Sequence, residues 1–169
     1  MDKEQLIRSL KQKGFSSKIL NAFERVPRER FVPQDLINYA YEDTALSLEE
    51  GATISQPYTI AFMLDLLELK KGEKILEIGS GSGYVLALLS EITKGKIYGM
   101  EIVKSLAERS RKILSNLRYK IQVFNKSGFD GLPRKAPFDR ILVSAAAEGI
   151  PKALVEQLKN GGILVIPIN

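Results

Sequence analysis

The 169-residue chain contains no histidine and no cysteine. Those absences remove the usual general base near neutral pH, the usual soft metal ligands, and every Ser–His or Cys–His nucleophile pair. No metal is expected. They also exclude a disulfide framework and thiol chemistry, which fits a cytoplasmic setting. No stretch approaches the roughly 18 uncharged apolar residues of a membrane span. The first residues, Met1-Asp-Lys-Glu-Gln5, carry charge where a secretion signal would be apolar. A G-x-x-x-x-G-K-[ST] run is missing, so a P-loop nucleotide hydrolase is excluded. Internal repeats and low-complexity tracts are missing as well.

What is present is an ordinary globular composition, 44% apolar and 27% charged. The length suits one domain with a proper core. A formal charge of +5 and a pI near 9.3 are modest. Lys104, Arg109, Arg111, Lys112, Arg118 and Lys120 fall on or near one predicted helix. They read as a solvated face, and no nucleic-acid partner is expected.

Apolar spacing predicts short amphipathic helices over 3–13 and 16–26, divided at Gly14, with Ser16 a candidate N-cap. Pro27 and Pro33 bracket a rigid connection into a further helical turn over 34–41, and 43–58 reads as loop. A helix over 59–69 stops at Lys70-Lys71-Gly72. Strands are then predicted over 74–78, 96–101, 119–124, 138–144 and 162–167, alternating with helices over 84–92, 103–116 and 151–159. Such alternation specifies an α/β fold: a doubly wound, mainly parallel, Rossmann-like sheet of about five strands with helices on both faces. The expected organisation is a helical lead and loop over 1–58 joined to an α/β core over 59–169, in one domain.

The segment Ile75-Leu-Glu-Ile-Gly-Ser-Gly-Ser-Gly-Tyr84 is the most informative. An apolar strand runs into Gly79, Gly81 and Gly83, a helix follows, and Glu101 ends the next apolar run. A strand, glycine turn, helix, strand and acid in that order hold a nucleoside. Glycines let the ligand lie against backbone, and the acid accepts hydrogen bonds from ribose hydroxyls. The dinucleotide frame G-x-G-x-x-G is not met, because Tyr84 occupies its last position. The G-x-G-x-G form preceded by Glu77 instead resembles the first motif of S-adenosylmethionine-dependent methyltransferases. Methyl transfer to a carboxylate suits a chain without histidine. The acceptor is already ionised at pH 7, and the protein mainly aligns two groups and excludes water.

A second motif joins the first. Gly51-Ala-Thr-Ile-Ser-Gln-Pro-Tyr58 directly precedes the helix that leads to the glycine-rich strand. Taken with Arg25-Val-Pro-Arg28, Phe31-Val-Pro33, Ala40-Tyr-Glu-Asp43 and Ala136-Pro-Phe-Asp139, it closely resembles the protein-L-isoaspartate O-methyltransferase family, from about Arg25 to the last residue. The resemblance implies a repair enzyme. It would move a methyl group from S-adenosyl-L-methionine to the free carboxylate of an isoaspartyl residue in a damaged protein or peptide, leaving S-adenosyl-L-homocysteine.

Carried over by position, Ser55 matches the family's active-site serine. It reads as a hydrogen-bonding positioner, since a serine hydroxyl is a poor base at pH 7. An ST-turn or helix-cap role ahead of Pro57 is compatible with this. Thr53, Ile54 and Gln56 would face cofactor and substrate. Gly79, Ser80, Gly81, Ser82 and Gly83 would wrap the methionine end of the cofactor. Glu101 and Ile102 would meet the ribose, and Ser127, Gly128 and Phe129 the adenine. Glu77 either binds the cofactor ammonium through water or caps the neighbouring turn. Tyr84 reads as packing.

Two departures from the family pattern stand out. Lys126-Ser127-Gly128 replaces the usual Gly-Asp-Gly, which removes a charged partner for adenine at a cost of about 1 kcal/mol. The family's usual C-terminal strands are missing beyond Ile166-Pro-Ile-Asn169. The strand over 162–167 is therefore expected to be an exposed apolar edge, open to a second copy or a partner chain. Two other readings remain open: a methyltransferase acting on another carboxylate or a small molecule, and a non-catalytic cofactor-binding module.

Overall fold

The structure, a computed structural model, describes residues 1–169. Helix α1 (Lys3–Gln12) starts at a reciprocal capping box: the Asp2 side chain accepts from the Gln5 N–H, and the Gln5 side chain accepts from the Asp2 N–H. Its Leu6 and Leu10 are fully buried. Helix α2 (Ser17–Arg25) buries Ile19, Leu20, Ala22 and Phe23. Ser16 is its N-cap, though the side chain makes no capping bond. Two 3-10 turns, Arg28–Arg30 and Gln34–Tyr39, carry the chain towards the sheet.

The region expected to be loop contains an antiparallel pair, β1 (Leu46–Ser47) and β2 (Thr53–Ile54). Two-residue strands fall below what periodicity can register. Helix α3 (Pro57–Leu66) begins two residues earlier than expected, because a proline at the first helical position is preset for it.

Five parallel strands follow: β3 (Lys74–Ile78), β4 (Lys96–Met100), β5 (Gln122–Phe124), β6 (Phe138–Val143) and β7 (Leu158–Val165). Between them lie α4 (Tyr84–Thr93), α5 (Lys104–Asn116) and α6 (Lys152–Glu156). The spatial order is β5-β4-β3-β6-β7. The chain lays β4 and β5 to one side of β3, then returns to lay β6 and β7 on the other. The order therefore reverses between β3 and β6, the place where such sheets open a crevice beyond the strand ends.

Successive strand residues enter different cores, as strand geometry requires. Ile75, Ile97 and Leu142 join the 32-residue cluster with α1 to α5, while Leu76, Met100 and Val143 join a cluster of seven with α6. The main core thus lies on the side that also receives the lead helices.

Three further elements differ from expectation. Strand β5 starts at Gln122 instead of 119. Helix α6 is five residues long, and β7 starts at Leu158 instead of 162, with a register shift opposite Phe138 and Arg140. The polar Lys159-Asn160-Gly161 stretch hides that extension from an apolar pattern. Strand β7 is the sheet edge, and its Ile163, Leu164 and Val165 are half-buried. No helix is long and apolar enough to cross a membrane.

Candidate active site

The glycine-rich turn leaves the end of β3 at the reversal point. Gly79 takes φ +76°, and a Cβ there would lie 3.2 Å from the Ala145 Cβ, so only glycine lets this turn pass the loop after β6. The N–H groups of Gly79 and Ser80 both donate to the Met100 carbonyl, at 2.8 and 3.1 Å. The turn is thereby fastened to the end of β4.

Glu101 completes the fastening. Its Oε2 accepts from the Gly81 N–H at 2.7 Å and its Oε1 from the Val103 N–H at 2.9 Å. The carboxylate is 6% exposed and keeps lone pairs for further donors. Asn125 adds a tie from the third loop: its Nδ2 donates to the carbonyls of Glu101 (2.9 Å) and Ile102 (3.1 Å). Gly128 passes so close to Ile78 that a side chain would collide with it.

These loops enclose a cleft of about 450 Å³, within the range of small-molecule sites. Thr53, Gly79, Gly81 and Glu101 line it from one side, and Ser127 and Gly128 from another. A narrow recess of about 30 Å³ continues from it towards Ser55, Glu77, Ser80 and Ser82, sharing Thr53, Gly79 and Gly81 with the larger cleft.

Glu77 is the unusual group in that recess. It is 1% exposed, and its Oε1 accepts from the Ser144 hydroxyl at 2.7 Å. Its Oε2 and the Ser80 Oγ are buried without any partner. Burial pushes the Glu77 carboxyl up to about 8; the Ser144 hydrogen bond opposes this, and the nearby Glu101 charge adds to it.

A pH prediction follows from the direction of that shift. The folded state holds a proton on Glu77 that the unfolded chain, with an ordinary value near 4.5, has released. The stability it contributes is therefore fully present below about pH 4.5 and lost as pH rises through about 8. The slope in that window reaches about 1.4 kcal/mol per pH unit. Urea unfolding at pH 5, 7 and 8.5 should show this fall in the wild type and a flatter profile in Glu77→Gln. Parallel profiles would assign the pH dependence to other groups.

The Ser55 loop is held at both ends. The Ser55 carbonyl accepts from the Nη2 of Arg28 at 3.1 Å. The Tyr58 N–H, one of the free donors at the start of α3, donates to the Asp43 carboxylate at 2.8 Å. Tyr84 is 1% exposed and packs against the rings of Phe23 and Phe31, as its reading as packing implies.

Of the residues singled out from the sequence, Thr53, Gly79, Gly81, Glu101, Ile102, Ser127 and Gly128 line the larger cleft, and Ile54, Ser55, Glu77, Ser80 and Ser82 the recess. Three line neither. The Gln56 side chain accepts from the Thr59 hydroxyl at 3.3 Å. Gly83 faces Ser110 and Leu114 of α5, and Phe129 projects outward at 72% exposure. Phe129 is assigned through its place beside the family's Gly-Asp-Gly position, and the direction of a loop side chain carries no periodic signal. The loop Ser144-Ala145-Ala146 lines the cleft but was not singled out. The rule that ligands bind beyond the carboxyl ends of strands would have found it after β6.

The arrangement fits a nucleoside that carries a cationic arm. The backbone turn offers close approach, Glu101 has spare acceptor capacity beside the turn, and the recess holds an unpartnered buried carboxyl oxygen and hydroxyl. The family model for protein-L-isoaspartate(D-aspartate) O-methyltransferase matches residues 1–169. The chain belongs to this family. It is 44% identical to the protein-L-isoaspartate O-methyltransferase of Ignicoccus hospitalis, over 98% of this chain and 81% of that one. The same-named protein of Cytophaga hutchinsonii is 46% identical, over 98% and 75%. A solved protein-L-isoaspartate O-methyltransferase superposes with a TM-score of 0.93 at 33% identity, over 99% of this chain and 56% of that one. A Plasmodium falciparum structure described as a family member in complex with S-adenosyl-L-homocysteine gives 0.87 at 27%, over 100% and 85%. The chain thus spans little more than half the length of one solved relative and three quarters or more of the others.

Proposed function

We propose that the chain transfers a methyl group from S-adenosyl-L-methionine to the free carboxylate of L-isoaspartyl residues in damaged proteins and peptides, in the cytoplasm. The observation that carries this reading is the recess. It connects the serine of the Thr53-Ile-Ser-Gln-Pro57 segment to the glycine-rich cleft, so acceptor and donor sites adjoin. When bound, the cofactor supplies an already activated methyl group, and the protein needs no strong base.

The side chains then have defined tasks. Glu101 offers its remaining lone pairs to ribose hydroxyls, and Glu77, which an adjacent ammonium group drives to its charged form, offers it buried acceptors together with Ser80. Ser127 stands at the adenine end, where its hydroxyl accepts from the Phe129 N–H at 3.3 Å. Ser55 positions the acceptor carboxylate, and the narrowness of the recess excludes water from it. The lead and loop over 1–58 serve as the substrate-side part of the protein. The outer edge of β7, unpaired in the sheet order, is the surface proposed for a second copy of the chain or a partner chain.

Ser55→Ala is expected to lower kcat for methyl-ester formation on an isoaspartyl peptide by about tenfold to a hundredfold, through lost alignment. The affinity for S-adenosyl-L-homocysteine should stay within about twofold. Calorimetric titration followed by a methyl-transfer assay checks both. Binding without turnover in the wild type would instead favour another acceptor, and no binding would overturn the assignment.

A further inference from the structure

Arg28 is fully buried and makes no ion pair. A guanidinium in such a place is costly unless its donors are used. Its Nε donates to the Ala40 carbonyl at 2.7 Å, and its Nη2 to the Ser55 carbonyl at 3.1 Å. Its Cζ lies 5.0 Å from the centre of the Tyr84 ring, and Tyr84 is the first residue of α4 after the glycine turn. One rigid group therefore touches the end of the 34–39 turn, the backbone of Ser55, and the helix that begins at Tyr84.

Its third nitrogen, Nη1, is buried with no partner. No carboxylate touches the charge: carbonyl dipoles and the Tyr84 ring face it at contact, with Tyr41 and the Asp43 carboxylate acting from further off, and it sits against the backbone of Ser55 itself. A planar fork fixes position in a way that a flexible ammonium does not. A poorly neutralised cation behind the recess also favours an anion within it.

We propose that Arg28 is a positioning residue for the transfer: it fixes the Ser55 backbone relative to the glycine turn and lends the acceptor carboxylate a buried positive charge. The proposal rests on the reading of Ser55 as the group that meets that carboxylate. It separates two effects. R28K keeps charge and loses the fork, so kcat should fall at least tenfold with KM little changed. R28Q loses the charge as well, and KM for an isoaspartyl peptide should rise at least tenfold. In both, the dissociation constant of S-adenosyl-L-homocysteine should stay within threefold.

The test combines these kinetics with amide hydrogen exchange and the double variant R28K/S55A. Exchange over residues 53–58 should quicken at least tenfold in R28K while the strands keep their protection. The double variant should be no slower than S55A alone, because both changes act through the same hydroxyl. Multiplicative losses, exchange that rises evenly along the chain, or R28K and R28Q that both fail to fold would overturn the proposal. If S55A has wild-type turnover, or if the wild type turns over no isoaspartyl peptide, the functional reading fails instead. The exchange pattern then still decides whether Arg28 clamps the loop.

Discussion

Glu101→Ala is expected to weaken S-adenosyl-L-homocysteine binding by about a hundredfold, close to 3 kcal/mol. The expectation does not rest on ribose contacts alone. The carboxylate already accepts from the Gly81 and Val103 N–H groups, so alanine strands two part-buried backbone donors. Each stranded donor costs about 1–3 kcal/mol. The turn that forms the cleft and the start of the loop to α5 then lose their common anchor. Glu101→Gln sharpens the test. An amide replaces one of the two accepting oxygens with a donor, which would face either the Gly81 or the Val103 N–H. It should recover only part of the affinity. A glutamine variant that binds like the wild type would reduce Glu101 to a space-filler, and calorimetric titration reads the difference directly. The pattern is the reverse of that expected for Ser55→Ala, where turnover falls and affinity holds.

The largest stability effect is expected far from the cleft, at Arg140→Ala. Arg140 on β6 is 6% exposed. Its guanidinium pairs with Glu73 at 3.2 Å and donates to the carbonyls of Leu67, Glu68 and Asp139 at 2.5, 3.2 and 2.9 Å. Glu73 in turn accepts from the Lys70 N–H at 2.8 Å. This cluster locks the turn between α3 and β3 against the neighbouring strand. Removing only the arginine leaves the buried Glu73 carboxylate without its counter-charge and three carbonyls without a guanidinium donor. That typically costs about 3–5 kcal/mol, against a total stability of roughly 5–15 kcal/mol for a domain. Urea unfolding should show a large fall in midpoint. The paired change Arg140→Met with Glu73→Leu should restore much of it, because no unpaired charge remains. A single variant within about 1 kcal/mol of wild type would mean that water reaches the cluster.

Much of this protein was legible along the chain. Alternating apolar runs placed all five sheet strands and the helices between them, because strand and helix periods differ and each element buries a face. The glycine turn and Glu101 were legible for a local reason: turn geometry and a strand-end acid sit at fixed offsets. Boundaries were less secure where polar residues belong to a strand, as at Lys159-Asn160-Gly161, or where a strand has two residues, as at Leu46–Ser47. Phe129 lies outside both cavities with its ring exposed, since sequence order does not reveal which way a loop residue points.

By itself the sequence determined the parallel α/β architecture, the glycine-rich turn, the lack of any histidine or cysteine, and the joined motifs that mark the family. These are properties of neighbours in the chain, set by backbone geometry and residue type. Only the tertiary structure decided that Glu77 shares its proton-holding environment with Ser144, that Asn125 ties the third loop to the second, and that Arg28 reaches Ser55 and Tyr84 at once. Each pairing joins residues 24 to 67 positions apart that meet only when the sheet reverses or the lead folds over it. Burial then decides what such meetings do, because a charge or hydroxyl acquires its special character only once water has been removed.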